Sequence, residues 1–72
     1  MEAGMTQSCI GFVQFWDRSR GFGFITPLGS NQPVYVQRDD IEGECQNLSD
    51  DQQVSFVLEL GPGRFEAKHV RP

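Results

Sequence analysis

Residues 20–25 read RGFGFI: Phe22 and Phe24 stand one residue apart, each preceded by a glycine, with Ile25 after them. Side chains on a strand alternate between two faces, so Phe22 and Phe24 share one face and Ile25 takes the other. Glycine weakens a strand interior, because it packs nothing and loses much freedom on ordering. A Phe-Gly-Phe strand therefore needs a reason. The reading that supplies one puts Ile25 in a core and both rings outside. The glycines then remove side chains that would shield the rings, and a flat ligand can lie against the backbone.

Working outward, the chain divides into short pieces of β character. CIGFVQFWD (9–17) is rich in β-branched and aromatic residues, and only Arg18-Ser19-Arg20 separates it from GFGFI (21–25), a link short enough for a hairpin. PLGSNQP (27–33) is turn chemistry throughout, and PVYVQ (33–37) alternates again. Residues 39–53 hold no convincing strand; Asp39 is expected to cap a single helical turn around Ile41, ahead of a polar connection. QVSFVLEL (53–60), the turn GPG (61–63) and RFEAKHV (64–70) complete the chain. No segment carries a helical period over 11 or more residues. Five short strands with edges to protect suggest a small closed or nearly closed barrel. The alternation places Val13, Ile25, Val34, Val36, Val54, Phe56 and Leu58 inside. It leaves Phe22, Phe24 and Tyr35 outside, joined by Phe15 or Trp16, since adjacent positions cannot both be buried without a bulge.

Composition bounds the function. Seventy-two residues, 38% hydrophobic and 22% charged, make one globular domain near the lower limit for folding without staples. No apolar run approaches the roughly 18 residues that span a membrane, and MEAGMTQS has neither a basic start nor an apolar run of a signal peptide. Cys9 and Cys45 lack metal-site spacing and are expected to be free thiols in a reducing cytoplasm. The net charge of −4 argues against a nucleic-acid ligand when taken whole, but the charge is segregated. Residues 39–60 carry seven acidic residues and no basic one, whereas residues 11–38 carry Arg18, Arg20 and Arg38 against Asp17 alone. Anion binding on one face is compatible with that layout. Outward rings are costly in solubility and mark a binding surface; rings beside arginines suit stacked bases and a phosphate backbone.

In order along the chain, Gly11-Phe-Val-Gln-Phe-Trp16, Arg20-Gly-Phe-Gly-Phe-Ile25 and Val34-Tyr-Val-Gln-Arg38 resemble the cold-shock domain family. That family carries a G-x-V-K-W-F strand followed by its two ribonucleoprotein motifs, K-G-F-G-F-I and V-F-V-H-F. The similarity continues through Val54-Ser55-Phe56 and Ala67-Lys68-His69-Val70. It implies a cold-shock-like domain over residues 9–72, after a flexible segment over 1–8. The fold implied is all-β, a five-stranded antiparallel OB-type barrel. The function implied is binding of single-stranded RNA or DNA by stacking, as a cytoplasmic nucleic-acid chaperone or regulator. Carried over residue by residue, the binding set is Phe15, Trp16, Arg20, Phe22, Phe24, Tyr35, Gln37 and Arg38. The departures are as informative. Gln14 replaces a lysine, the Trp-Phe order is inverted to Phe15-Trp16, and Gln37 and Arg38 replace a histidine and a phenylalanine. Gln37 retains hydrogen-bonding capacity toward a base edge, and Arg38 has a planar guanidinium that stacks on a base while pairing a phosphate.

Blander readings stand beside these. Trp16 also fits a covering role at one barrel end, Gln37 a neutral surface position, Arg18 and Arg20 solvated hairpin residues, and His69 a structural one. Enzyme chemistry finds no footing: no triad spacing is present, and GFGFIT lacks the third glycine and helix of a phosphate loop. No catalytic residue, metal, cofactor, small-molecule substrate or membrane partner is expected. A monomer is expected, with a dimer left open because strand exchange leaves no mark in composition. The lost lysine and histidine, the gained Phe12 and the acidity motivate an alternative, a barrel of this kind turned to protein contact or self-association.

Overall fold

The computed structural model describes residues 7–72. Five strands follow in order: β1 (Gln7–Asp17), β2 (Phe22–Pro27), β3 (Val34–Gln37), β4 (Gln53–Gly61) and β5 (Arg64–Arg71), with a 3₁₀ turn at Arg38–Asp40 between β3 and β4. They close into a barrel in the spatial order β1-β2-β3-β5-β4. The fold is the expected all-β OB-type barrel. One pairing departs from the all-antiparallel expectation: β3 runs parallel to β5, with Tyr35 opposite Glu66, and an isolated parallel bridge joins Ile41 to Val70.

Alternation along each strand delivers the core. Val13, Ile25, Val34, Val36, Val54 and Phe56 are buried as their periodicity requires, and Leu58 is half-buried against them. Burying a side chain of this size is worth about 1.5–3 kcal/mol, so the barrel interior carries most of the stability of so short a chain. Ala67 and Val70 supply the β5 side. Ile41 and Leu48, from the polar connection, join the core at 2% exposure each; nothing periodic around them announced it.

Other boundaries shift from their expected places. The expected flexible segment over 1–8 falls mostly outside the described residues, but β1 begins at Gln7 and pairs Ser8 with Val57, so residues 7 and 8 are strand. Asp39 does not cap the helical turn. Gln37 holds the N-cap position without a side-chain hydrogen bond, and Ile41 follows the turn in extended conformation. Cys9 and Cys45 are free. Among the described residues no helix is long and apolar enough to cross a membrane.

A bulge in β1 decides what the surface offers. Val13 faces Ile25 and Phe15 faces Phe24, so β1 spends one more residue than β2 between those pairs. Gln14 and Phe15 both point outward as a result, and Trp16 turns into the core.

Candidate functional site

Phe22, Phe24 and Tyr35 come from adjacent positions of two hydrogen-bonded strands, Phe24 lying directly opposite Tyr35. The β1 bulge brings Phe15 beside them, opposite Phe24. The four rings pack on one another. Phe15 and Phe22 meet edge to face with centroids 6.2 Å apart, as do Phe22 and Phe24. Tyr35 lies 5.9 Å from Phe22 at an interplanar angle of 27°, and 5.8 Å from Phe24 at 66°. These are the spacings at which aromatic pairs attract, so the rings hold each other in place. Phe15 is 44% exposed and the other three are half-buried. The cluster is a fixed apolar platform open to solvent.

Trp16 does not belong to it. At 7% exposure it sits in the core, donating its indole N–H to Asn47 Oδ1 at 3.3 Å, while its backbone N–H donates to Asp50 Oδ1 at 3.2 Å. The inverted Phe-Trp order explains this, because the bulge sends the first ring out and the second in. The expected role of the glycines also changes at Gly23. It faces inward and is buried, pressed by the Phe15 carbonyl and the Trp16 indole. It makes room for core neighbours, not for a ligand. Gly21, at φ +74°, turns the chain into β2 against the Arg38 guanidinium.

The polar rim gathers at one end of the platform, where Arg20, Phe22, Tyr35, Gln37 and Arg38 line one shallow hollow. The Arg20 side chain is 78% exposed and meets Asp17 at 3.9 Å, a separation at which water screening leaves little energy. Gln37 donates its amide to the Tyr35 hydroxyl at 3.3 Å. Arg38 is held more firmly: its Nη2 donates to the Arg18 carbonyl at 2.6 Å and its backbone N–H to the Gly21 carbonyl at 2.8 Å. It ties the β1–β2 hairpin to β3, leaving four of its five N–H groups outside that bond. In the barrel, Arg64 Cζ lies 3.8 Å from the Tyr35 ring centroid. The parallel β3–β5 pairing brings it there, and parallel pairing across a closed barrel leaves no local signal in a sequence.

A second polar cluster lies away from the rings. Glu42 accepts from Arg71 Nε and contacts His69 Nδ1, both at 3.0 Å. Its pKa is lowered chiefly by the His69 hydrogen bond and next by Arg71, against a smaller opposing effect of burial. Lys68 bridges Asp40 and Glu66, each at 3.4 Å. Burial pulls its pKa down, but the two carboxylates outweigh that and leave it raised. Among the described residues, no group of three or more His, Cys, Asp or Glu side chains is arranged to hold a metal ion.

A closed five-stranded barrel with a self-packed ring platform on β1–β3 defines an OB-type protein with an open aromatic face. Residues 9–72 match the 'cold-shock' DNA-binding domain model, and the chain belongs to the cold-shock domain family, whose members bind nucleic acid and are not enzymes. It is 37% identical over 67 residues to cold shock-like protein CspJ of Salmonella typhimurium, covering 92% of this chain and 96% of that one. It is 34% identical over the same length and coverage to cold shock-like protein CspI of Escherichia coli. With cold shock protein CapA of Pseudomonas fragi it shares 38% identity over 64 residues, 88% of this chain and all of the relative. Among solved structures, drosophila Unr CSD456 superposes with a TM-score of 0.75 at 14% identity, over 90% of this chain and 26% of that one. At that identity the likeness speaks for the fold alone, and this chain spans only a small part of that structure.

Proposed function

We propose that this protein binds single-stranded RNA or DNA in the cytoplasm by stacking bases on Phe15, Phe22, Phe24 and Tyr35, and that it acts as a nucleic-acid chaperone or regulator. Arg20 and Arg38 meet the phosphate backbone, and Gln37 reads a base edge. The observation that carries this reading is the platform itself, four rings locked by mutual contact yet open to solvent. Pre-packed rings give up little freedom when a base arrives, and stacking is worth about 1–3 kcal/mol per base. Stacking carries the affinity because few cations surround the rings.

Fluorescence anisotropy of labelled oligonucleotides tests it. Phe22→Ala and Phe24→Ala should each weaken single-strand binding by about 1–3 kcal/mol while costing far less in fold stability. A parent that binds no oligonucleotide at low salt ends this reading. A second reading, contact with another protein, then takes its place. It is favoured by one observation: Ile10 and Phe12 on β1, and Leu28 just past β2 and hydrogen-bonded to Ile10, are all exposed and apolar.

A further inference from the structure

Among the described residues, Tyr35 is the one platform ring with a cation on it. Arg64 follows the β4–β5 turn and lays its guanidinium over the Tyr35 ring at 3.8 Å from the centroid, van der Waals distance for stacked planes. Its Nε sits 3.5 Å from Glu66 Oε2, and Glu66 in turn meets Lys68, so the carboxylate is anchored from the other side. The Arg64 side chain is nonetheless 53% exposed; it rests on the ring and is not built into the barrel. A guanidinium plane and a base plane occupy an aromatic face in the same way. Both cannot have it.

We propose that Arg64 is a built-in competitor for the stacking place on Tyr35. In the unbound protein its guanidinium fills that place; an incoming base displaces it, and the released side chain turns to a phosphate of the same strand. This rests on the nucleic-acid reading above and refines it by naming the residue that sets the affinity of one ring. The competition is uneven. A cation–π contact at an exposed site is worth about a two- to fivefold change in affinity, whereas a stacked base is worth more than that. The base wins, at a cost. Salt then decides the net effect of Arg64: at low salt the new phosphate contact exceeds the cost of displacement, and at high salt that contact is screened and only the cost remains.

The test is binding of an oligothymidylate of about six nucleotides to the parent, Arg64→Ala and Glu66→Gln, at about 50 mM and about 500 mM salt. Arg64→Ala should bind more weakly than the parent at low salt and up to about threefold more tightly at high salt, with a salt slope shallower by about 0.7. Glu66→Gln, which loosens Arg64 without removing it, should tighten binding at both concentrations. In NMR spectra the Arg64 side-chain protons should be shifted upfield by the Tyr35 ring in the free protein and lose that shift when the oligonucleotide is bound. Weaker binding of Arg64→Ala at both salt concentrations, or an Arg64 upfield shift that persists in the complex, overturns the proposal while leaving the nucleic-acid reading intact. A parent that binds at neither concentration overturns both.

Discussion

Gly23 shows how a residue chosen for one side of a strand governs the other. Its neighbours Phe22 and Phe24 form half of the platform, but its own position faces the barrel interior. A Cβ there would run into the Phe15 carbonyl oxygen and come within 2.9 Å of the Trp16 ring and 3.0 Å of the Trp16 Cα. Two of these obstacles are backbone atoms of the bulge that aims Phe15 outward. Gly23→Ala should therefore destabilise the barrel by at least about 1–3 kcal/mol, read as a lowered urea midpoint with an unchanged slope. A midpoint within error of the parent would mean that the bulge yields easily and does not position Phe15. Trp16 emission should follow this unfolding, because the indole lies in the core, away from the ring face.

At the scale of elements, the strands were legible and the connection was not. Alternating apolar residues in β2, β3 and β4 name their buried members directly, and Phe22, Phe24 and Tyr35 follow as the opposite face. The β1 bulge was not legible: the sequence requires only that one of Phe15 and Trp16 face out, and unbroken alternation from Val13 would have exposed Trp16; the choice depended on packing against Gly23 and Asn47, far along the chain. Residues 42–52 read as a solvated acidic loop because most of them are. Leu48 is the exception, at 2% exposure, and a lone apolar residue carries no period. The loop is held to β1 on both sides of the bulge: before it, Asp51 N–H donates to the Val13 carbonyl and Val13 N–H to the Gln52 carbonyl; after it, Trp16 N–H donates to Asp50 Oδ1. Leu48→Ala should cost about 2–5 kcal/mol by thermal unfolding. A loss below about 1 kcal/mol would reassign the loop to mere covering. The candidate site was likewise half legible. Rings contributed by neighbouring strands share local motifs, but Arg64 reaches Tyr35 only through the β3–β5 seam.

Over the whole molecule, charge sets two responses. Among the described residues, Arg20, Arg38 and Arg64 are the cations placed at the platform, and each phosphate contact on a single strand contributes about −0.7 to the salt slope, so the logarithmic slope should be about −2. A slope steeper than about −4 would require a basic surface that the barrel does not possess. The second response is to acid. The folded pKa of Glu42 lies below its ordinary value of 4.5, owing first to His69 and then to Arg71. A group with a depressed folded pKa stabilises the native state fully above its unfolded value. That contribution is lost as pH falls from about 4.5 through the folded pKa. The melting temperature should fall over that window, and Glu42→Gln should flatten the fall while leaving the ring face untouched. An identical acid profile in the variant would mean that the Glu42–His69–Arg71 cluster is too well solvated to matter.

The seam where β1 meets β4, and β3 meets β5, has a consequence for how the chain leaves the ribosome. Gly11 pairs with Val54 and Tyr35 with Glu66, so nothing before the last two strands can close the barrel. The β1–β2–β3 meander, with all four platform rings, is synthesised first and needs only local pairing. At about 5–20 residues per second, it waits seconds for β4 and β5. During that interval Val13, Ile25, Val34 and Val36 have no roof, and the nascent meander shows apolar side chains on both faces together with two unpaired edges. A chain released early, ending before Arg64, is a substrate for aggregation or proteolysis, and it already carries every ring of the finished platform.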